Sequence, residues 1–99
     1  MMPARLVPVS SQVLALDATA VSSAPYPHGA TVLVASDSRF RLAINDDATD
    51  TNSIVVPLSQ LVYISVPPGG YISVIAYNPS GGPVVANPYG VILNEVLIS

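Results

Sequence analysis

The sequence contains no cysteine, no tryptophan and no lysine. Without cysteine the chain can form neither a disulfide framework nor a thiolate metal site, and this composition fits synthesis in a reducing cytoplasm. No apolar run approaches the roughly 18 residues that a membrane-spanning helix requires. The segment Met1 to Arg5 lacks the long apolar core of a signal peptide. We therefore expect a protein that is neither exported by a visible signal nor inserted into a bilayer.

Charged residues are also scarce. Only 9% of the residues are charged, whereas a typical soluble domain has about 25%. The segments 18–36 and 51–94 contain no Asp, Glu, Lys or Arg, and hydrophobic residues make up 51% of the chain. A small domain exposes much of its surface, and a surface with so little charge favours association. We expect part of it to be buried against other subunits; the alternative is a surface kept soluble by Ser, Thr, Asn and Pro.

The sign of the charge excludes two kinds of partner. The net charge is −3, and the cationic residues are Arg5, Arg39 and Arg41. Nucleic acids and anionic membranes are bound through clusters of basic residues, which this sequence lacks. We therefore predict neither nucleic acid nor membrane as a partner.

Period-two patterning interrupted by Pro, Gly, Asn and Asp predicts an all-β protein. From Ser38 to Tyr77 the pattern indicates a meander of short strands. The predicted strands of the whole chain are 12–21, 31–35, 39–44, 54–58, 61–66, 71–77 and 91–98. The turn at 36–38 predicts a hairpin that joins 31–35 to 39–44. Pro68-Gly69 suits a type II turn and predicts a second hairpin, which joins 61–66 to 71–77.

Short strands with turns about every ten residues are typical of sandwiches and jelly rolls. We predict a single antiparallel β-sandwich or jelly roll of seven to eight short strands over residues 12–99, preceded by an extended N-terminal arm over residues 1–11. The segment 87–90, Asn-Pro-Tyr-Gly, predicts a type I turn. The last strand carries apolar residues on both faces, which places it in the centre of a sheet or under a partner.

Alternation within 71–77 predicts an interaction surface. Ile72, Val74 and Ala76 would fill the core, and Tyr71, Ser73, Ile75 and Tyr77 would point outward, joined by Tyr63 and Ser65 of the paired strand. A face that is rich in tyrosine and free of charge is typical of a protein–protein contact. The alternative is that this face is the inner face of a second sheet.

No motif predicts catalysis. The loop Asp46 to Asn52 offers oxygen ligands that Ca²⁺ could use, but it lacks EF-hand spacing, so a plain polar loop is the other interpretation. His28 is the only histidine, and no G-x-S-x-G elbow or placed carboxylate accompanies it. We predict a surface or interface histidine, no enzymatic activity, no metal and no cofactor.

The remaining charged residues have two interpretations each. Glu95 lies in an apolar strand, either exposed at a sheet edge where it discourages wrong pairing, or inward and paired with Arg39 or Arg41. The two arginines share a strand face. They could pair with Asp17 or Asp37 within the domain, or bind an acidic patch on a partner.

Several segments resemble small β-sandwich virion proteins of tailed bacteriophages. The resemblance lies in Arg39-x-Arg41-Leu42-Ala43-Ile44, Ala48-Thr49, Tyr63-x-x-Val66-Pro67-Pro68-Gly69, Ile72-x-Val74-Ile75 and Asn94-Glu95-Val96-Leu97. It covers about sixty residues and leaves the N-terminal third aside. The acidic residues of the loop 46–52 depart from the small polar turn that is commoner in that group.

The resemblance implies a capsid decoration or cement subunit, made in the host cytoplasm and located on the capsid surface of the virion. Its partner would be the major capsid protein, with self-association that we expect to give a trimer. The predicted interface residues are Tyr63, Tyr71, Ile75, Tyr77, Arg39 and Arg41. The alternatives are a tail, baseplate or neck module of the same fold, or a carbohydrate-binding module in which Tyr63, Tyr71 or Tyr77 stacks on sugars.

Overall fold

The computed structural model describes residues 6–49, 51–57 and 61–98, and over these ranges the chain is all-β. Eight strands are present in the described ranges: β1 (Leu6–Leu16), β2 (Val21–Ser22), β3 (Ala30–Ala35), β4 (Phe40–Ile44), β5 (Ile54–Val56), β6 (Val62–Val66), β7 (Ile72–Ala76) and β8 (Asn87–Ile98). Each predicted strand has a counterpart, but β8 begins at Asn87 instead of 91, and the predicted strand 12–21 is divided: its first five residues lie in β1 and Val21 begins β2.

The strands form two four-stranded antiparallel sheets. The front sheet has the order β1-β8-β3-β6 and the back sheet has the order β2-β7-β4-β5. Strands 1 and 8, 2 and 7, 3 and 6, and 4 and 5 are hydrogen-bonded neighbours. This is the pairing of one long hairpin rolled into two layers, which defines a jelly roll. The prediction of an antiparallel β-sandwich or jelly roll is therefore confirmed.

The core lies between the two sheets and follows the predicted alternation. The largest completely buried side chains include Phe40 of β4, Ile72 of β7 and Leu93 of β8, each with 0% of its surface exposed. Leu16 at the end of β1 is 1% exposed. Apolar residues at every second position of a strand point to one face, so each strand contributes a row of side chains to this layer.

Both predicted hairpins are wrong. β3 and β4 lie in different sheets, as do β6 and β7, so the meander predicted for 38–77 is absent. The type II turn itself is present, because Gly70 N–H donates to Pro67 O at 2.8 Å and Gly69 has φ of 78°. However, Tyr26 O accepts the Gly69 N–H at 2.7 Å. The turn is thus fixed to another loop, and the chain crosses between the sheets instead of folding back beside itself.

The predicted turn at 87–90 is also wrong, since these residues begin β8. Gly90 is buried, and a Cβ at this position would lie 2.5 Å from Leu16 Cγ. The glycine is needed because the Leu16 side chain lies directly on the backbone of Gly90, where a Cβ would collide with it.

The predicted N-terminal arm lies partly outside the described residues. Residues 1–5 are not described, and 6–11 form the first part of β1, paired with the C-terminal part of β8. Within residues 6–98, apart from 50 and 58–60, the molecule measures 48 × 26 × 22 Å along its principal axes.

Candidate interaction surface

The outer surface of the front sheet carries the main group of exposed apolar side chains. The pairing register places Val13 opposite Ile92 and Ile92 opposite Ala35, and it places Leu33 opposite Tyr63. Directly opposite residues of an antiparallel pair point to the same face of the sheet. Val13 is 51% exposed, Ile92 41% and Tyr63 54%. These side chains therefore form one contiguous apolar surface.

Leu61 immediately precedes β6 and is 67% exposed. We call Val13, Leu33, Leu61, Tyr63 and Ile92 the front face. Isolated exposed apolar residues are normal on a soluble protein, whereas a contiguous group marks a contact site.

The strands of the front sheet contribute no charged side chain to the front face. In the four strands of the front sheet the only charged residue is Glu95. Glu95 lies opposite Val32, which is completely buried, so Glu95 points to the core side of the sheet. Removing an unpaired charge from water is costly. The strands of the front face present no charge on this surface, so this cost does not oppose its burial.

The front face continues into an open groove at one end of the sheet. Leu61, Tyr89 and Ile92 form its apolar walls, and the exposed Asp37 also lines it. The groove volume is about 380 Å³, and Tyr89 is 77% exposed. This volume could accept one large side chain of a partner, as the central pockets of protein interfaces do.

The outer surface of the back sheet is different, because the loop after β4 covers part of it. Ala48 in this loop is 2% exposed, and its N–H donates to Ser73 Oγ at 2.9 Å. Ser73 itself is completely buried. The Arg41 guanidinium lies over the Tyr77 ring, 4.7 Å from its centroid, in the geometry of a cation–π contact. The back surface is therefore partly occupied by the chain itself and carries positive charge.

The predicted interface residues are divided between the two surfaces. Tyr63 belongs to the front face, whereas Ile75 and Arg41 are opposite each other on the outer surface of the back sheet. Tyr71 and Tyr77 flank β7 and are half-buried. The predicted alternation of β7 is correct, but its lateral contact with Tyr63 and Ser65 is wrong, because β6 pairs with β3.

Sequence reasoning did not select four of the five front-face residues, Val13, Leu33, Leu61 and Ile92, as site residues. One signal was available: β8 carries apolar residues on both faces, and it is an inner strand of the front sheet, between β1 and β3. One side, with Leu93, fills the core, so the other side, with Ile92, had to be exposed or covered by a partner.

An open cleft of about 300 Å³ lies beside the back sheet. Asp37, Arg39, Tyr77 and Asn78 contribute polar and aromatic groups to its lining. Arg39 and Asp37 thus line one cleft, and both residues are exposed.

Tyr26 places a polar hydroxyl group inside the sandwich. The residue is 4% exposed, and its buried hydroxyl makes no hydrogen bond with any described residue. Burial raises the pKa of Tyr26 above 10.0, and the Glu95 carboxylate raises it further. The Gln12 side chain lies close enough to offset part of this rise, and its Oε1 accepts the Ala24 N–H at 2.8 Å. Among the described residues no group lies in hydrogen-bonding position to the Tyr26 hydroxyl, which is uncommon for a buried polar group.

The interpretation of Glu95 as an exposed residue of an edge strand is wrong. β8 is an inner strand, and the half-buried Glu95 carboxylate accepts a long hydrogen bond of 3.5 Å from Ser10 Oγ. The other interpretation pairs Glu95 with Arg39 or Arg41. Arg39 immediately precedes β4 and Arg41 lies in β4, which belongs to the back sheet.

The acidic loop after β4 is held together by Asn52. Asn52 Oδ1 accepts the Thr49 N–H at 2.7 Å, and its Nδ2 donates to Asp47 O at 2.8 Å and to Asp46 Oδ2 at 3.2 Å. Asp50 lies outside the described residues. In residues 6–49, 51–57 and 61–98 no group of three or more His, Asp or Glu side chains is placed to share a metal ion. The loop oxygens described here serve hydrogen bonds within the loop, and His28 is exposed in another loop.

No helix in the described part of the chain is long and apolar enough to cross a membrane. Comparison of the chain with protein-family models, with curated proteins and with solved structures gives no match. Function must therefore be inferred from the surfaces described above.

Proposed function

We propose that this protein is a non-catalytic structural subunit that works by burying its front face against another protein. The observation that carries the proposal is the contiguous, uncharged apolar surface formed by Val13, Leu33, Leu61, Tyr63 and Ile92. Interface cores are poor in charge and rich in aromatic residues, and Tyr63 supplies an aromatic side chain that is 54% exposed.

We further propose that the partner is the major capsid protein of a tailed bacteriophage, and that the subunit decorates and reinforces the capsid. Two observations support this choice. The sequence segments around Arg39–Ile44 and Tyr63–Gly69 resemble virion proteins of that kind, and eight-stranded jelly rolls are common in viral capsids. The fold is shared with lectins and enzymes, so it supports the proposal only by analogy.

A rigid apolar face suits attachment to a symmetric shell. Each front face makes one contact of modest area, with a hot-spot residue supplying much of the binding energy. A shell presents many identical sites, so linked subunits remain bound even when one contact opens. Decoration requires no catalytic group.

The test is binding of single-charge variants to capsids assembled without this protein. Tyr63→Asp and Ile92→Asp place a carboxylate inside the proposed contact, and each should weaken binding at least about 30-fold, equivalent to ~2 kcal/mol. Val55→Asp is the matched control, because Val55 is 42% exposed on the back sheet opposite Arg41. This variant should bind as the wild type does.

Circular dichroism and thermal unfolding should show that all three variants remain folded, since each substituted side chain is at least 41% exposed. Unchanged binding by the Tyr63 and Ile92 variants would contradict the proposed contact. Labelled protein imaged on particles should lie on the shell; a signal on the tail, baseplate or neck would replace capsid decoration with the alternative virion position.

Carbohydrate binding is a second candidate, favoured by the cleft beside the back sheet. Tyr77, Asp37 and Asn78 line this cleft and offer an aromatic ring and polar groups together. One face of the Tyr77 ring is covered by Arg41, so a sugar would have to stack on the opposite face. A glycan array should give signals that Tyr77→Ala abolishes; an array without signals would remove this candidate.

A further inference from the structure

Among the strands that the structure describes, the outer edge of β1 is the longest free edge. The front sheet ends in β1 on one side and β6 on the other, and the back sheet ends in β2 and β5. These strands have 11, 5, 2 and 3 residues, respectively. Natural sandwiches keep edge strands short or charged because unpaired backbone N–H and C=O groups attract another strand. Three edges follow this rule, and β1 does not.

The sequence of β1 does not protect its edge with charge. No Asp, Glu, Lys or Arg occurs in Leu6–Leu16. The strand has two irregularities in its register with β8, between Pro8 and Ser10 and between Leu14 and Leu16. Between them the segment Ser10–Leu14 pairs regularly with β8, and its other side has no neighbouring strand among the described residues.

We propose that two copies of this protein pair through the free edges of β1, antiparallel and about a two-fold axis at Gln12. Backbone groups along an exposed sheet edge form a template to which an extended peptide can add as a further strand. An uncharged edge favours an uncharged strand, and β1 of a second copy meets this condition without bringing like charges together. The inference concerns a sheet edge and does not depend on the proposed function of the front face.

The side chains of the regular segment allow this pairing. A two-fold axis at Gln12 places Ser11 opposite Val13 of the second copy, and both residues are exposed. The Gln12 side chain points to the core side, where it accepts the Ala24 N–H at 2.8 Å, so it does not obstruct the edge. A two-fold dimer results, whereas the resemblance to virion proteins led us to expect a trimer.

The absence of native cysteine permits a direct test of the register. Directly opposite residues in an antiparallel pair have Cα atoms about 4.5–5.5 Å apart, within the range of a disulfide. Ser11→Cys and Val13→Cys proteins, mixed under mild oxidation, should form a disulfide-linked pair. Ser11→Cys mixed with Val55→Cys is the control, because Val55 lies in β5 of the other sheet.

Light scattering of the unmodified full-length chain should give twice the mass of 10.2 kDa. The Ser11–Val13 mixture should cross-link with many times the yield of the control mixture. A monomer or a trimer in solution would overturn the proposal, and so would a dimer in which the two mixtures cross-link equally. Capsid binding without dimerisation would leave the front-face proposal intact, and dimerisation without capsid binding would leave this one intact.

Discussion

Replacing Tyr26 with phenylalanine should stabilise the protein. The hydroxyl is buried and has no hydrogen-bond partner in the described residues, so the folded state bears the cost of removing it from water. Burying a hydroxyl without a partner costs about 1–3 kcal/mol in proteins. Phenylalanine keeps the ring, which is 4% exposed in the core, and removes only that cost. We expect Tyr26→Phe to raise the free energy of unfolding by ~1–2 kcal/mol.

The assay is equilibrium unfolding by urea, with thermal unfolding as a second measurement. A gain of 1 kcal/mol should raise Tm by about 4–8 °C for a domain of this size. Tyr63→Phe is the matched control, because that tyrosine is 54% exposed and its stability change should be within about 0.5 kcal/mol. A loss of stability in Tyr26→Phe would refute the reasoning, because it would mean that the hydroxyl has a favourable partner such as a buried water molecule.

The same residue predicts the behaviour at high pH. Burial, with the Glu95 carboxylate adding to it, holds the folded-state pKa of Tyr26 above the 10.0 of the unfolded chain. As pH rises through 10, the unfolded chain loses this proton first and gains stability relative to the folded state. The folded protein should therefore lose about 1.4 kcal/mol per pH unit between 10 and the raised pKa. The difference between wild type and Tyr26→Phe isolates this loss from that of the other tyrosines.

Two further substitutions test the packing of the strands. Gly90→Ala should destabilise the fold by ~1–3 kcal/mol in urea unfolding, because the added Cβ would lie 2.5 Å from Leu16 Cγ. Ser73→Ala should cost ~1–3 kcal/mol, because it removes the oxygen that accepts the Ala48 N–H at 2.9 Å; the amide of Ala48 should exchange its hydrogen faster by NMR.

Controls for both substitutions are available in the chain. Gly82→Ala changes an exposed glycine, where the nearest contact of an added Cβ is Asn78 Nδ2 at 3.3 Å, and Ser65→Ala changes an exposed serine on β6. Both should leave stability nearly unchanged. If Gly90→Ala is as stable as wild type, Leu16 does not lie on the backbone of β8. If hydrogen exchange at Ala48 is unaffected in Ser73→Ala, the loop is held by other contacts.

The positions of the strands could be predicted because they depend on local patterns of apolar and polar residues. Phe40 and Leu42 alternate with Arg41 and Ala43, and the structure places the first two in the core with 0% and 2% exposure. A period of two requires only neighbouring residues to be recognised. The same holds for the type II turn at Gly69, whose positive φ needs glycine.

Strand partners were not predictable from the same signals. A tight turn between two strands is compatible with a hairpin and also with a crossing between sheets, and the choice depends on distant contacts. Ser36 illustrates this, because its hydroxyl donates to the carbonyl of Gly90, far along the chain. The turn after β3 is thus fixed to β8, and β4 continues in the other sheet. The predicted site was divided for the same reason: Tyr63 and Tyr77 have the expected local orientation, but they belong to opposite sheets.

The low charge content of the sequence corresponds to one surface of the structure, the front face. Had the fold placed all its apolar side chains between the sheets, polar uncharged groups alone would cover the surface and no partner would be needed. Instead Val13, Tyr63 and Ile92 remain outside, on strands whose inner faces already fill the core. The domain has more apolar faces than a two-layer core can bury, and this excess is concentrated on the front sheet.

Pairing of two copies through the free edge of β1 would strengthen binding through the front face, although the two proposals are tested separately. Antiparallel pairing of β1 about a two-fold axis perpendicular to the sheet keeps opposite residues on one side, so both front faces of the dimer would face the same way. Val13 would then lie at the centre of a surface twice as large, with Tyr63 anchors towards its two ends. Two linked faces dissociate only when both contacts open together, which raises avidity without any new contact. A charge on the front face should therefore weaken binding of the dimer more steeply than that of a monomer held apart by a blocked β1 edge.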